Sequence, residues 1–230
     1  MIIPVQYAYL TLGIVYLAFW VVLFLYRPDV RREMLISSTI AGILALVLEP
    51  FFRADYWAPE LFNGWNIGIE DFLYGFAIGG IASVLYEEVF KKRFIKKKSH
   101  KYHWRFVFIL YAASFFSLFI GRQWWGLNTM YSTLGALAVA FFLIIFSRPD
   151  LVRDSVWTGI LFTAITLLAY IPTLILFPNF ISSFWHLQNL SGATLAGLPL
   201  EEILWAFMFG LVAGPFYEAW EGFRFRKAKF

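Results

Sequence analysis

The chain has 230 residues, of which 60% are hydrophobic and 15% are charged, and its mean hydropathy is +0.68. A soluble domain of this length cannot expose so little charge, so the composition excludes a water-soluble globular protein and indicates an integral membrane protein. The net charge is +4, and the absence of cysteine excludes disulfides and thiol chemistry.

Seven apolar stretches long enough to cross a bilayer follow one another along the chain. They are predicted at roughly 6–26, 34–52, 67–90, 104–121, 128–147, 155–176 and 198–220. The first stretch follows a segment without a basic region or a small-residue cleavage pattern, so we interpret it as a true span and not as a signal peptide. The sequence therefore predicts an all-α integral membrane protein that forms a single membrane domain over residues 1–230.

The basic residues are distributed unevenly between the two sides of these spans. Seventeen of the 19 Lys and Arg residues fall on one side, and the other side has only Arg53 and Arg122. The positive-inside rule then predicts an outer N-terminus and a cytoplasmic C-terminus in a multi-pass protein of the cell membrane. The basic stretch Lys91–Lys101 is expected to favour anionic lipid headgroups, and its position in a short loop between spans excludes nucleic acid as a partner.

The two halves of the chain resemble each other. YRPDVRRE after the first span matches SRPDLVRD after the fifth, and Glu70–Glu87 matches Glu201–Glu218 at seven of eighteen positions. Each repeat has three spans, and one connecting span lies between the two repeats. With this arrangement both repeats cross the membrane in the same direction. We expect repeat 1 at about 1–100, a linker helix at about 104–121 and repeat 2 at about 125–225, related by a pseudo-twofold axis along the membrane normal.

Each repeat has two adjacent acidic residues at the start of its third span, Glu70-Asp71 and Glu201-Glu202. One interpretation is an ordinary helix N-terminus, where carboxylates interact favourably with the helix dipole. The other is a functional site, because Asp71 and Glu202 share a helical face with small residues that mark close helix contacts. They should then point into the bundle while Glu70 and Glu201 line a cavity beside the contact. Intramembrane acids without a basic partner favour this second interpretation.

The motif Pro-x-Glu-Glu/Asp at the start of the third and seventh of seven spans resembles the membrane-integral lycopene cyclase domain family. Pro199-Leu200-Glu201-Glu202 matches in full, and Gly68-Ile69-Glu70-Asp71 matches except that Gly replaces Pro. The family includes heterodimeric cyclases with one repeat in each subunit, single chains and fusions with phytoene synthase. The resemblance implies redox-neutral cyclisation of lycopene ends to ionone rings through a carbocation. The sequence has no nucleotide- or flavin-binding motif and no histidines at metal-ligand spacing, so we expect no cofactor and no metal.

The resemblance also implies one neutral carboxyl as the acid and one carboxylate as the base. We expect Glu201 as acid and Glu202 as base, with exchangeable roles, and Glu70 and Asp71 serving likewise in the other half. Side chains near these acids are expected to form the pocket and stabilise the cation: Trp205, Tyr74, Phe207, Phe76 and Met208. The expected partners are lycopene or a related carotenoid, membrane lipid, and other carotenoid-pathway enzymes docking on Lys91–Lys101.

Two alternative functions remain open at this point. A transporter of the SWEET type also has parallel three-helix repeats, although a solute pathway needs more polar residues than these spans contain. A carotenoid hydratase would use the same cation and admit water to it. A retinal photoreceptor is excluded because the seventh span has no lysine for a Schiff base. The type of ring, β, ε or γ, is not predicted.

Several other acidic and basic residues have simple expected roles. The two Arg-Pro-Asp turns should end helices, since proline stops a helix. Glu49 is expected to reach the headgroups rather than the acidic residues. Four acids near the cytoplasmic ends of their spans are expected to pair with the adjacent Lys and Arg: Glu87, Glu88, Glu218 and Glu221.

Overall fold

The computed structural model describes residues 4–62, 64–95, 103–222 and 224–227. The α-helices of this part of the chain are α1 Ala8–Tyr26, α2 Arg31–Asp55, α3 Ile69–Ala82, α4 Leu85–Phe90, α5 Trp104–Gln123, α6 Thr129–Ser147, α7 Val152–Leu176, α8 Phe180–Phe184 and α9 Leu200–Glu221. Its short strands form two antiparallel pairs, β1 Lys92–Ile95 with β4 Arg224–Lys227, and β2 Thr194–Leu195 with β3 Leu198–Pro199.

Seven helical segments of the described chain are long and apolar enough to cross a membrane. They are Val5–Tyr26, Pro28–Asp55, Ile69–Phe90, Trp104–Gln123, Thr129–Ser147, Pro149–Leu176 and Leu200–Glu221. The predicted all-α, multi-pass membrane fold is thereby confirmed. The second span continues past its predicted end at residue 52, so that Arg53 belongs to the last turn of α2.

The two Arg-Pro-Asp turns have the same local structure. In each, the proline begins a short 3-10 turn directly after α1 or α6. The Nε of Arg27 donates to Asp29 at 2.8 Å, and the Nε of Arg148 donates to Asp150 at 2.9 Å. Both helices therefore end where the turns predict.

Small residues bring two pairs of helices into close contact. A Cβ on Gly75 of α3 would lie 2.6 Å from the Cβ of Ala45 in α2. A Cβ on Gly210 of α9 would lie 2.8 Å from the Cα of Gly159 in α7. Neither contact leaves room for a side chain, as the small-residue faces of these helices predict.

The loops that follow α2 and α7 pair with each other at one end of the bundle. The backbone N–H of Ala58 donates to Phe184 O, and that of His186 donates to Tyr56 O, both at 2.8 Å. Trp57 and Trp185 form an isolated β-bridge between the same loops. These bonds hold several aromatic side chains across the end of the bundle where α3 and α9 begin.

Residues that match between the two halves also make matching contacts. The Nη1 of Arg27 donates to the backbone oxygen of Glu87 at 3.4 Å, and that of Arg148 donates to the backbone oxygen of Glu218 at 3.0 Å. Such contacts agree with two repeats, whose pseudo-twofold axis stays a prediction. Residues 96–102, most of the expected basic segment Lys91–Lys101, lie outside the described residues.

Candidate active site

A cavity of about 210 Å³ lies at the end of the bundle that the paired loops cover. Its walls are aromatic and aliphatic, and the acidic residues among its lining are Glu49 and Glu202. The aromatic lining residues are Tyr9, Phe52, Tyr56, Trp57, Tyr74, Tyr170, Trp185, Trp205 and Phe209. The cavity thus combines two carboxyl groups with an apolar, ring-rich wall.

Glu202, at the start of α9, is buried, and each of its two carboxyl oxygens accepts a hydrogen bond from a tyrosine hydroxyl. The residue is 5% exposed. The hydroxyl of Tyr56 donates to its Oε2 at 2.6 Å, and the hydroxyl of Tyr170 donates to its Oε1 at 2.9 Å. Two phenol donors on the two oxygens satisfy a carboxylate, which accepts hydrogen bonds but donates none.

The direction of the Tyr56 hydrogen bond is fixed by Trp185. The indole Nε1 of Trp185 lies 3.0 Å from the Tyr56 hydroxyl, and an indole nitrogen is only a donor. The Tyr56 oxygen therefore accepts from Trp185 and gives its own proton to Glu202. Burial, and next the charge of Glu202, raise the pKa of Tyr56 well above its usual value, so its phenol stays protonated at neutral pH.

Glu49 lies on α2 and faces the same cavity. It is 5% exposed, and its Oε1 has no hydrogen-bond partner among the described residues. The Nη1 of Arg53, one helical turn further on, lies 3.6 Å from that oxygen and donates to Pro59 O at 2.8 Å. The expectation that Glu49 reaches the headgroups is therefore wrong.

Asp71 is buried at the first turn of α3, where it caps its own helix. The backbone N–H of Gly68, the N-cap residue, donates to its Oδ2 at 2.8 Å, so the Asp71 carboxylate satisfies one free N–H at the helix start. Asp71 is close enough to Tyr9 for their charges to interact. Tyr9 lines the cavity, and it interacts in the same way with Glu49. The hydrogen bond from Gly68 supports the interpretation of Asp71 as part of an ordinary helix N-terminus. Its interaction with Tyr9 also links Asp71 to the lining of the cavity.

Glu70 and Glu201 hold the loops that precede their helices. The backbone N–H of Phe62 donates to Glu70 Oε1 at 2.8 Å, and that of Ser191 donates to Glu201 Oε1 at 2.7 Å. Glu201 Oε1 also accepts from the hydroxyl of Tyr131 at 2.7 Å. The first acid of each pair thus makes the same kind of contact in both halves.

The five expected pocket residues separate into two groups. Tyr74 and Trp205 line the cavity. Phe76 packs against Trp20, with ring centroids 5.2 Å apart, and Phe207 lies against Gly159 of α7. Met208 is half-buried on α9. Only the first group is in contact with the space beside Glu202 and Glu49.

The sequence interpretation missed Tyr170, Tyr56 and Trp185, which complete the surroundings of Glu202. A signal for one of them was present, because Tyr170 and Glu49 each lie 22 residues after the arginine of their Arg-Pro-Asp turn. Matched positions of two repeats tend to reach the same place in the fold. Tyr56 and Trp185 lie on loops, where spacing gives no such signal.

A larger cleft of about 490 Å³ adjoins the cavity. The two spaces share six lining residues, Ala41, Leu44, Leu48, Thr133, Leu137 and Phe209. The cleft is also lined by the linker helix α5 and reaches exposed side chains such as Val47 and Phe115. The cleft therefore opens on the apolar outer surface of the bundle and shares part of its wall with the cavity that holds the two carboxyls.

A metal-ligand arrangement exists among the described residues, but away from this cavity. Oxygens of Glu87, Asp154 and Glu218 lie within 4.8 Å of one another. These residues lie in α4, α7 and α9, at the end of the bundle opposite the cavity. The expectation that no metal is bound stays a prediction, and the cavity itself presents two carboxyls and an aromatic wall.

Comparison with known proteins gives one family. A family model described as lycopene cyclase matches residues 6–90 and 128–220. The matched ranges contain both predicted repeats and leave out the linker helix α5. No curated protein and no solved structure gives a significant match.

Proposed function

Because the chain belongs to the lycopene cyclase family, we propose that it closes the acyclic ends of lycopene into ionone rings by proton transfer in the cavity around Glu49 and Glu202. The observation that carries this proposal is the presence of two buried carboxyl groups in one apolar, aromatic cavity. Cyclisation without redox change needs one proton donor and one proton acceptor near the same polyene end.

The proposed reaction returns every proton and changes no oxidation state. An acid protonates C2 of the terminal alkene, which leaves a tertiary cation at C1. The C5=C6 bond then attacks C1, so that a ring forms and the positive charge moves to C5. A base removes the proton from C6 to give a β-ring. The base gains one proton for each proton that the acid loses. Transfer of a proton from the base to the acid then restores both groups to their starting states.

Glu202 fits the role of the base. Two phenol hydroxyls donate to its oxygens, and such donors favour the carboxylate over the neutral acid. This role agrees with the one expected for Glu202 from the sequence, where the roles of Glu201 and Glu202 were exchangeable. Glu202 is also held rigidly, because Tyr56 is itself fixed by Trp185.

Glu49 fits the role of the acid. A buried carboxyl with an oxygen that lacks a hydrogen-bond partner is less costly when it is neutral. Once it has given up its proton, the nearby Arg53 guanidinium stabilises the carboxylate that remains. Tyr74 lines the same cavity, and transfer of the proton from Glu202 back to Glu49 completes the cycle.

The aromatic wall suits a carbocation. Faces of Trp and Tyr rings attract a cation within about 6 Å. Trp57 contacts Tyr9 at a ring distance of 4.6 Å and Trp185 at 5.1 Å, so the rings form a continuous surface. The wall also excludes water, which would otherwise trap the cation as an alcohol. This favours cyclisation over the hydratase alternative.

The adjoining cleft suits the rest of the polyene. Its lining is aliphatic and aromatic, with few hydroxyls. A sugar or ion pathway would need polar groups along its length, so the cleft does not support the transporter alternative. We propose that lycopene enters from lipid through this cleft and places one end beside Glu49 and Glu202.

The acid role expected for Glu201 remains a prediction, as do the roles of Glu70 and Asp71. The contacts of Glu201 and Glu70 with loop N–H groups support a positioning role, in which each glutamate fixes the loop above the cavity. Asp71 would act through Tyr9 rather than on the substrate.

Pigment analysis of lycopene-accumulating cells that express the chain tests this proposal. The wild type should convert lycopene to cyclic carotenoids. Glu202→Gln and Glu49→Gln should each lower the conversion rate by about 100-fold or more, the usual contribution of a general acid or base. Glu201→Gln and Glu70→Gln should retain part of the activity, because an amide oxygen can still accept the loop N–H groups.

The control is Glu60→Gln, which alters an exposed glutamate at the same end of the bundle. Immunoblotting of the membrane fraction checks that every variant is present in equal amount. Unchanged lycopene with the wild type would refute the cyclase proposal. Full conversion by both Glu202→Gln and Glu49→Gln would refute the assignment of the acid and base.

A further inference from the structure

A second group of buried carboxyls lies at the other ends of the helices that form the cavity. We call it the four-carboxylate cluster: Glu33 of α2, Glu87 of α4, Asp154 of α7 and Glu218 of α9. Their exposed fractions are 2%, 1%, 1% and 0%. Two of these residues come from the first repeat and two from the second, at matching positions.

The cluster is separate from the proposed active site. Glu33 precedes Glu49 by sixteen residues on α2, and Glu218 follows Glu202 by sixteen residues on α9. At 1.5 Å per residue, each interval spans about 24 Å. The reacting end of a substrate in the cavity cannot contact the cluster, so proton transfer to the polyene does not account for these four acids.

The spacing of the oxygens matches the first coordination shell of a cation. Oxygens of Glu87, Asp154 and Glu218 lie within 4.8 Å of one another. Two ligands on opposite sides of a cation with metal–oxygen distances of about 2.4 Å are about 4.8 Å apart. Three carboxylates at such distances can therefore bind a single ion.

The oxygens also lack other partners. Both carboxyl oxygens of Glu33, Glu87 and Glu218 have no hydrogen-bond partner among the described residues. Asp154 accepts from the hydroxyl of Thr158 at 3.1 Å through Oδ1, and its Oδ2 has no partner. The expectation that Glu87 and Glu218 pair with neighbouring basic residues is therefore wrong.

Glu33 lies close enough to the other acids to interact with their charges, and both of its buried oxygens lack a hydrogen-bond partner among the described residues. The charge of Glu33 interacts with the charges of Glu87 and Asp154, and the charge of Glu218 interacts with that of Glu33. A fully buried carboxyl that lies near three others without a hydrogen-bond donor must either stay protonated or have a positive charge beside it. Glu33 thus supports a ligand independently of the distances between the other three.

The nearest arginines do not supply that charge in full. Arg27 and Arg148 are engaged with Asp29 and Asp150, and they donate to backbone oxygens of the cluster residues. The charge of Arg27 does reach Glu33 and Glu87. Arg27 is also paired with Asp29 and Glu88, so its charge is shared among several carboxyls.

We propose that the four-carboxylate cluster binds a divalent cation that prefers oxygen ligands, namely Mg²⁺, Mn²⁺ or Ca²⁺. Carboxylate oxygens without sulfur or imidazole are the ligands that these ions select. Because the ligands come from both repeats, the ion connects the two halves of the bundle at the end opposite the active site. Its role is to stabilise the bundle, and it takes no part in proton transfer.

Manganese binding by the purified full chain tests this proposal. The protein in detergent is stripped with EDTA, loaded with Mn²⁺ and dialysed, and bound manganese is measured by elemental analysis. One manganese per chain is expected. Thermal unfolding followed by tryptophan fluorescence should shift upward by about 5–10 °C at a hundredfold excess of Mn²⁺ over its Kd.

Glu87→Gln and Glu218→Gln, with Asp154→Asn as a third variant, each remove one proposed ligand. They should lose both the bound manganese and the thermal shift. In EDTA they should unfold no lower than the wild type, because each removes one of several mutually repelling charges. Glu88→Gln is the matched control: Glu88 is next to the cluster but pairs with Arg27 and Lys91, so this variant should bind manganese like the wild type.

Two outcomes would overturn the proposal. If the wild type retains no manganese and shows no thermal shift, the cluster holds protons and not a metal ion. If the wild type binds manganese and the ligand variants bind it equally well, the ion lies elsewhere. Both readouts are independent of carotenoid conversion, so neither result depends on the cyclase proposal.

Discussion

At the scale of single residues, the site is organised by hydrogen bonds whose direction is fixed. Trp185 can only donate, so Tyr56 must accept from it and donate to Glu202. This chain of two bonds keeps a proton pointing at the carboxylate of Glu202. The phenol of Tyr56 remains neutral because its pKa is raised by burial and by that carboxylate.

Replacing Tyr56 with phenylalanine tests the importance of this bond. Tyr56→Phe removes one donor from Glu202 and leaves the Trp185 N–H without its partner. A hydrogen bond to a charged group contributes about 1.5–3 kcal/mol, which corresponds to a rate loss of roughly 10- to 100-fold. The measurement is the initial rate of ring formation from lycopene in isolated membranes.

Tyr26→Phe is the control for this variant, because Tyr26 is 69% exposed at the far end of α1. It should leave the rate unchanged. A Tyr56→Phe enzyme that forms rings as fast as the wild type would show that Glu202 does not depend on this donor.

At the scale of helices, the positions of Glu202 and Glu49 depend on close packing between small residues. Without a hydrophobic driving force in lipid, helices associate through short van der Waals contacts that small side chains permit. Gly75 and Gly210 allow such contacts of α3 with α2 and of α9 with α7. These pairs bring the starts of α3 and α9 to the ends of α2 and α7, where the cavity forms.

Gly210→Ala should destabilise the protein. The added Cβ would lie 2.8 Å from Gly159 Cα and 2.9 Å from Thr158 O, and both are backbone atoms that cannot move independently. Overpacking of this kind costs about 1–3 kcal/mol. We expect a lower unfolding temperature in a thermal scan of the detergent-solubilised protein.

Gly135→Ala provides the comparison within the same protein. Gly135 is an exposed residue of α6, and a Cβ there would be no closer than 4.0 Å to the Ser117 hydroxyl. Alanine is the better helix former, so this variant should unfold at the same or a higher temperature. Equal stability of both variants would contradict the close contact between α7 and α9.

At the scale of the whole molecule, the bundle has different chemistry at its two ends. One end has the aromatic cavity and the paired loops, and the other has the four-carboxylate cluster and the Arg-Pro-Asp turns. Between them the apolar cleft beside α5 reaches the lipid-facing surface. The positive-inside rule predicts that the end with the cavity is the outer one.

The absence of cysteine makes this orientation easy to test with single introduced cysteines. Glu60→Cys places a thiol at the cavity end, and Arg153→Cys places one at the opposite end; both positions are exposed. In intact cells, a membrane-impermeant maleimide should label only Glu60→Cys. Arg153→Cys should react only after the membrane is permeabilised, and the reverse pattern would refute the predicted orientation.

Much of the fold could be predicted from the sequence because spans and turns are local features. A run of about 20 apolar residues must form a helix in lipid, since its backbone polar groups have no other partners there. The Arg-Pro-Asp turns were predictable for the same reason, because proline acts on its own helix. The boundary of α2 was less well predicted, since Arg53 in its last turn interacts with Glu49 and the Pro59 oxygen, which are contacts within the protein.

The sequence by itself determined the seven spans, the internal likeness of the halves and the presence of acidic residues where apolar ones are expected. Only the tertiary structure decided which acids share a cavity, because that depends on packing between helices distant in sequence. Glu49 and Glu202 meet through the contacts of α2, α3, α7 and α9, and Tyr56 and Trp185 join them from paired loops. Carboxyl groups acquire their roles from the donors and neighbours around them, and hydropathy and spacing along one chain do not specify those neighbours.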